Sequence, residues 1–197
     1  MCHYVTAVLP ASAPHEDLDA IARAHGRRFE PLANPGVEAS IGPRERYFLT
    51  TAGHCDCGTP LGALASASRR SPDWAAQEQR LLRKGWSRAK VARSLAQKQE
   101  DDLASKALSR ETNLKAASSW LDLIGAVLDS GKTPHLGLLL HWYDGALSGS
   151  IGRIGREAVR SPELTGELLG HMKEDVLYAA LIANAAPFAF HSSAMRL

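Results

Sequence analysis

One short stretch constrains the fold of this chain more than any other. His135 to Trp142, HLGLLLHW, is nearly all apolar, and it lies between Pro134 and the turn signal Tyr143-Asp144-Gly145. Such a brief apolar run fits a central strand covered on both faces. The chain must then supply further strands beside it and layers above and below.

Residues 2 to 9 alternate with a period of two. His3, Val5, Ala7 and Leu9 fall on one face, Cys2, Tyr4, Thr6 and Val8 on the other, and Pro10 stops the run, which predicts a first strand. After Ser12-Ala13-Pro14 the spacing of Leu18, Ile21, Ala22 and His25 predicts a helix closed by Gly26. A short strand is expected around Arg28 to Leu32, and an extended segment between the turns Asn34-Pro35-Gly36 and Gly42-Pro43. Arg46-Tyr47-Phe48-Leu49-Thr50-Thr51 is rich in aromatic and β-branched residues and predicts a clearer strand. Residues 58 to 71, rich in Gly, Ala and Ser, read as a loop or a boundary.

From Pro72 to about Leu108 the composition turns to helix formers. A break at Lys84-Gly85-Trp86 and an N-cap at Ser87 predict a helical hairpin. Between Arg69 and Lys115 there are twelve basic and six acidic side chains, so this is the basic part of the molecule. Asn113 to Ser130 carries Ala117, Trp120, Leu121, Ile124, Val127 and Leu128 at helical spacing, with Gly131 as cap. Residues 146 to 161 read as a loop plus a weak edge strand. Ser161-Pro162-Glu163 opens a short helix, residues 175 to 181 form a last strand or continue that helix, and the tail from Asn184 is loosely structured.

Strand, helix, strand, strand, helix, strand is the order of a split βαβ, ferredoxin-like antiparallel sheet. The expected fold is therefore a single α+β domain over residues 1–197, two helices packing on the sheet, with 72–108 as a protruding basic helical-hairpin insertion. In that topology the start of the first strand lies beside the end of the strand at 46–51. Cys2 and His3 are thereby brought to the stretch Ala52-Gly53-His54-Cys55-Asp56-Cys57-Gly58.

All three cysteines and two of the eight histidines lie in those two runs. Thiolate and imidazole are the donors that suit zinc, four in a structural site and three plus water in a catalytic one. Cys2, His3, His54, Cys55 and Cys57 are accordingly the candidate metal ligands, with zinc the expected ion; the plain alternative is that the cysteines are small buried hydrophobes. One residue separates Cys55 from Cys57, fewer than the two to four of paired zinc cysteines. The resulting expectation is a binding protein in which a Cys/His metal site joins the N-terminus to the 52–58 loop and the hairpin meets a partner protein. A hydrolase using the same cluster is the alternative.

Other classes are constrained by composition. No run approaches the roughly 20 apolar residues of a membrane span. Pro10 cuts the only apolar run near the N-terminus short of a leader's, and three cysteines are too few for a disulfide framework, so a cytoplasmic protein with reduced thiols is expected. A net charge of +2 gives no global field toward nucleic acid.

Two local resemblances add alternatives. Removal of Met1 would leave Cys2 with thiol and amine on one carbon. Met1-Cys2 thus resembles the start of N-terminal-nucleophile amidohydrolases such as the glutamine amidotransferases, although the usual glycine after the cysteine is His3 here. The run Leu82 to Leu95, LRKGWSRAKVARSL, resembles the opening of a helix-turn-helix unit and implies nucleic-acid binding through 82–95. The turn and second helix of that unit have no counterpart, since Ala96 to Leu103 continues as polar helix with Glu100-Asp101-Asp102.

Overall fold

The computed structural model describes residues 2–69, 72–149 and 151–182; Met1 and the tail from Asn184 lie outside the described residues. The apolar run forms β4 (His135–Tyr143), which takes the central place its sequence demands. It lies between β1 (Cys2–Pro10) and β6 (Val176–Leu181), antiparallel to both. β3 (Glu45–Leu49) pairs antiparallel with β1, and β2 (Glu30–Pro31) with β3. On the far edge β5 (Gly155–Arg160) pairs parallel with β6, giving the order β2-β3-β1-β4-β6-β5.

The protein is thus a mixed α+β structure with a six-stranded sheet, and the sheet is not the wholly antiparallel, ferredoxin-like one expected. The difference comes from 146–161, whose edge strand buries only Val159 and so shows little apolar alternation. Its return to β6 runs through a 3-10 turn (Ser161–Glu163) and α7 (Gly166–Gly170), the longer crossover that a parallel pair requires.

Both sheet faces are covered. On one, α1 (His15–Ala24) and α6 (Ser118–Asp129) bring Leu18, Trp120, Leu123 and Val127 onto Val5, Ala7, Leu138 and Leu140. On the other, α2 (Pro35–Ile41) sets Val37 and Ile41 beside Ile151 over Val8, Leu139 and Leu177. Residues 35–41 are helical, not extended, because the Asn34 side chain accepts from Val37 N (3.2 Å) and Pro35 sits at the first helical position. The Asn34 amide also donates to the carbonyls of Leu147 (2.9 Å) and Gly149 (2.8 Å), fastening these two residues to this layer.

Three further differences concern helices. The Gly/Ala/Ser stretch contains α3 (Pro60–Arg69) where a loop was expected. The hairpin is α4 (Trp74–Arg83) and α5 (Arg88–Ala116), turned at Gly85 with φ +81°, and α5 runs well past residue 108. The helix expected from 113 to 130 is therefore divided at Ala117, where α5 gives way to α6. Leu81, Val91 and Leu95 form a small core inside the hairpin, with Trp74 and Trp86 against it. Near its C-terminal end α5 rests Leu114 on Gly170, whose missing side chain leaves the room: a Cβ there would stand 2.4 Å from a Leu114 methyl. No described helix is long and apolar enough to cross a membrane.

Candidate metal centre

β3 leaves the ladder after Leu49, and the loop that follows takes over its hydrogen-bonding duties toward β1. The His3 N–H donates to Cys57 Sγ (3.2 Å), the His3 carbonyl accepts from Asp56 N (2.9 Å), and Val5 N–H donates to Asp56 Oδ2 (2.9 Å). The Thr50 hydroxyl donates to the Val5 carbonyl. Every backbone group that His3 and Val5 turn toward this side is thereby satisfied, as a buried strand edge requires.

Asp56 is the residue that fixes the loop. Its side chain is fully buried and accepts from Val5 N, from the Thr51 hydroxyl, from Thr59 Oγ1 (3.1 Å) and from Arg27 Nη1 (2.8 Å). Arg27 is itself 13% exposed and stacks over Trp120, 4.2 Å from the ring centre. A buried carboxylate with one ion pair and three further donors is well compensated. Because Asp56 points inward, its two neighbours Cys55 and Cys57 are left on the outer side of the loop, both half-buried.

α3 closes over the loop from the other side. At Gly62 a Cβ would stand 1.9 Å from the Asp56 carbonyl oxygen, so only glycine allows this approach. One turn later α3 brings Ser66 within 3.0 Å of His3 Nδ1, and His3 Nε2 lies 2.8 Å from Glu174 Oε1. The small residues that make 58–71 look like a loop are the ones that let a helix pack this closely.

The outcome is a cluster in which the sulfurs of Cys2, Cys55 and Cys57 all lie within 4.8 Å of one another. Burial works against ionisation of Cys57, yet the His3 N–H, with the Cys55 and Cys2 thiols and the Ser66 hydroxyl, outweighs it and holds the thiol below its usual range. Cys55 moves the other way. The Cys57 N–H favours its thiolate, but burial, hydrogen bonds to Cys2 and Cys57, and the charge of Cys57 together push it up. Burial, followed by the charges of Cys2, Cys55, Asp56 and Cys57, raises Tyr4 as well. Of Cys55 and Cys57, Cys57 is therefore the more readily ionised.

Three of the five expected ligands are brought together and two are not. His3 is fully buried with both ring nitrogens engaged by Ser66 and Glu174, and its ring meets Trp142 edge-on at 4.5 Å. His54 is exposed, and its carbonyl accepts from the Tyr4 hydroxyl (2.9 Å). His141 on β4 is paired through Nδ1 with Asp175. Sequence reasoning overlooked Asp56, Ser66, Glu174 and Arg27. For Asp56 a signal existed: a polar residue between two cysteines of one face must lie on the other.

Fold and site together define an α+β protein carrying a half-buried group of three thiols able to hold a metal ion. A scan against protein-family models and searches of curated proteins and of solved structures find no match.

Proposed function

We propose that the protein binds a metal ion, zinc, through the thiolates of Cys2, Cys55 and Cys57. The ion ties the first strand to the loop after β3, and the helical hairpin meets a macromolecular partner. The observation that carries this reading is the proximity of the three sulfurs, within 4.8 Å of one another. Zinc at about 2.3 Å from each sulfur in tetrahedral geometry needs sulfurs roughly 3.8 Å apart, which small side-chain rotations supply. Donors to the sulfur of Cys57 from His3 N and Ser66 form the outer shell that stabilises a thiolate ligand.

The test is the metal content of protein purified without a histidine tag. About one zinc per chain, lost in the Cys55→Ser, Cys57→Ser double variant, is expected; metal-free protein, or metal retained by the variant, rejects the site. Three donors on a half-exposed rim also favour a second use of the same ion, in which a water completes the shell and is activated for hydrolysis. Cobalt(II) in place of zinc separates the two: an exchangeable fourth ligand makes the visible spectrum respond to added azide, whereas a closed shell leaves it unchanged.

A further inference from the structure

Among the described residues the hairpin tip is the strongest concentration of unrelieved charge. Between Glu78 and Glu100 the chain carries seven basic side chains and no acidic one. All seven are exposed, and among the described residues none of them forms an ion pair. Arg80 and Arg83 lie three apart on α4, and Lys90 and Arg93 three apart on α5, so each helix carries a basic ridge. Lys84 and Arg88 join the two ridges at the turn.

On α4 the placement suits the helix, since Arg80 and Arg83 lie in its last turn, where the dipole favours cations, but at the start of α5 it runs against helix stability. α5 has no acidic residue in its first turn, where the positive end of the helix dipole favours one, and has Arg88 and Lys90 instead. Ser87 caps the helix by accepting from Lys90 N (3.4 Å), yet the third position of the capping pattern holds Lys90 where Glu would complete it. The Lys90 ammonium sits over Trp86, 4.1 Å from the ring centre, and is held at the tip. The cost of Arg88 at the start of α5 is offset by no ion pair among the described residues, and a local cost of this kind points to function.

We infer that the tip of the α4–α5 hairpin binds the phosphodiester backbone of nucleic acid. This replaces the expected partner protein, for reasons on the surface itself. A protein interface is anchored by apolar and aromatic side chains and is poor in lysine. Here Leu81, Val91 and Leu95 are consumed inside the hairpin, leaving Leu82 as the one exposed large apolar side chain near the turn. The exposed Leu103 and Leu108 lie beyond Glu100-Asp101-Asp102, about 20 Å or more along α5 from Arg88. A membrane surface would need an apolar stripe to insert, which the tip does not offer. Cations alone suffice for a phosphate backbone, whose recognition is electrostatic and independent of sequence.

The test is fluorescence anisotropy of the full chain with a short labelled DNA duplex and a labelled single strand of the same sequence. Affinity for the duplex is expected to fall on the order of 10²-fold between about 50 and 200 mM salt, as for roughly four neutralised phosphates. Replacing Arg83, Lys84, Arg88 and Lys90 together by Gln should flatten the salt slope by about 3 to 4. Should that variant fail to fold by circular dichroism, Arg83→Gln with Arg88→Gln gives the same test with a slope smaller by about 2. The Cys55→Ser, Cys57→Ser variant should bind as the parent does, which separates this inference from the metal reading. No binding at low salt, binding untouched by the Gln variants, or binding confined to anionic lipid vesicles overturns it.

Discussion

The loop after β3 and the tip of the hairpin are both short connections rich in polar groups, and they treat charge in opposite ways. In the loop, Asp56 is fully buried and faces Arg27 and three further donors, and the backbone groups that His3 and Val5 turn toward it are bonded. At the tip, Arg83, Lys84 and Arg88 are exposed and, among the described residues, have no acidic partner. Charge turned inward must be matched or it costs several kcal/mol, while charge turned outward into water costs little and remains available. The loop therefore holds a geometry, and the tip offers a field.

The sharpest way to break this contrast is Asp56→Ala. It strands Arg27 beside Trp120 and leaves Val5 N and the Thr51 hydroxyl without their acceptor, while Thr59 Oγ1 keeps the backbone carbonyl of residue 56 (2.9 Å). The expected loss is about 3 to 5 kcal/mol, as for one partner removed from a buried pair, read as a lower midpoint in urea with an unchanged slope. A loss below about 1 kcal/mol would put Asp56 in the class of ordinary surface carboxylates, and the account of the loop would fail.

Glu45 offers an intermediate case, an inward carboxylate shared between strands. Its Oε1 lies 3.1 Å from His135 Nε2 on β4 and contacts Arg156 on β5. Burial alone would raise it, but His135 and Arg156 prevail and hold it below its ordinary value of 4.5. Its stabilising contribution is therefore present above pH 4.5 and lost as pH falls through the lower folded value. Glu45→Gln should reduce stability at neutral pH and remove part of the fall on acidification. Equal acid slopes for the two proteins, in denaturant titrations taken through that range, would show that Glu45 carries none of it.

How far the sequence could show this follows from the same distinction. β1 and β4 were legible because strand alternation and a bounded apolar run report burial directly. The meeting of Cys2 with Cys55 and Cys57 followed from β1 and β3 being antiparallel neighbours. That same alternation puts His3 on the face of Val5 and away from Cys2, so its absence from the sulfur group was readable too. α3 was not legible, because Gly62 and Ser66 serve a close approach whose other half, the Asp56 carbonyl, is known only in three dimensions. β5 was legible only as a weak edge strand somewhere within 146–161, because an edge strand buries little, and its parallel pairing with β6 was not legible at all.

The smallest expected effect has the opposite sign from the first and tests the tip on its own. Arg88 opens α5 at the positive end of the helix dipole, exposed and, among the described residues, without an ion pair. Arg88→Glu reverses a charge the dipole disfavours, and should raise stability by about 0.3 to 1 kcal/mol at low ionic strength. Added salt should shrink the gain, since an exposed charge is screened within about 10 Å at 0.1 M. The same change should weaken binding to duplex DNA more than removal of the charge does, because a carboxylate repels phosphate. A gain in stability together with a loss of binding means that the arginine is kept at this position against the interest of the helix. A loss of stability instead would mean that Arg88 holds the hairpin together, and the contrast between a loop that spends its charges inward and a tip that keeps them free would no longer hold.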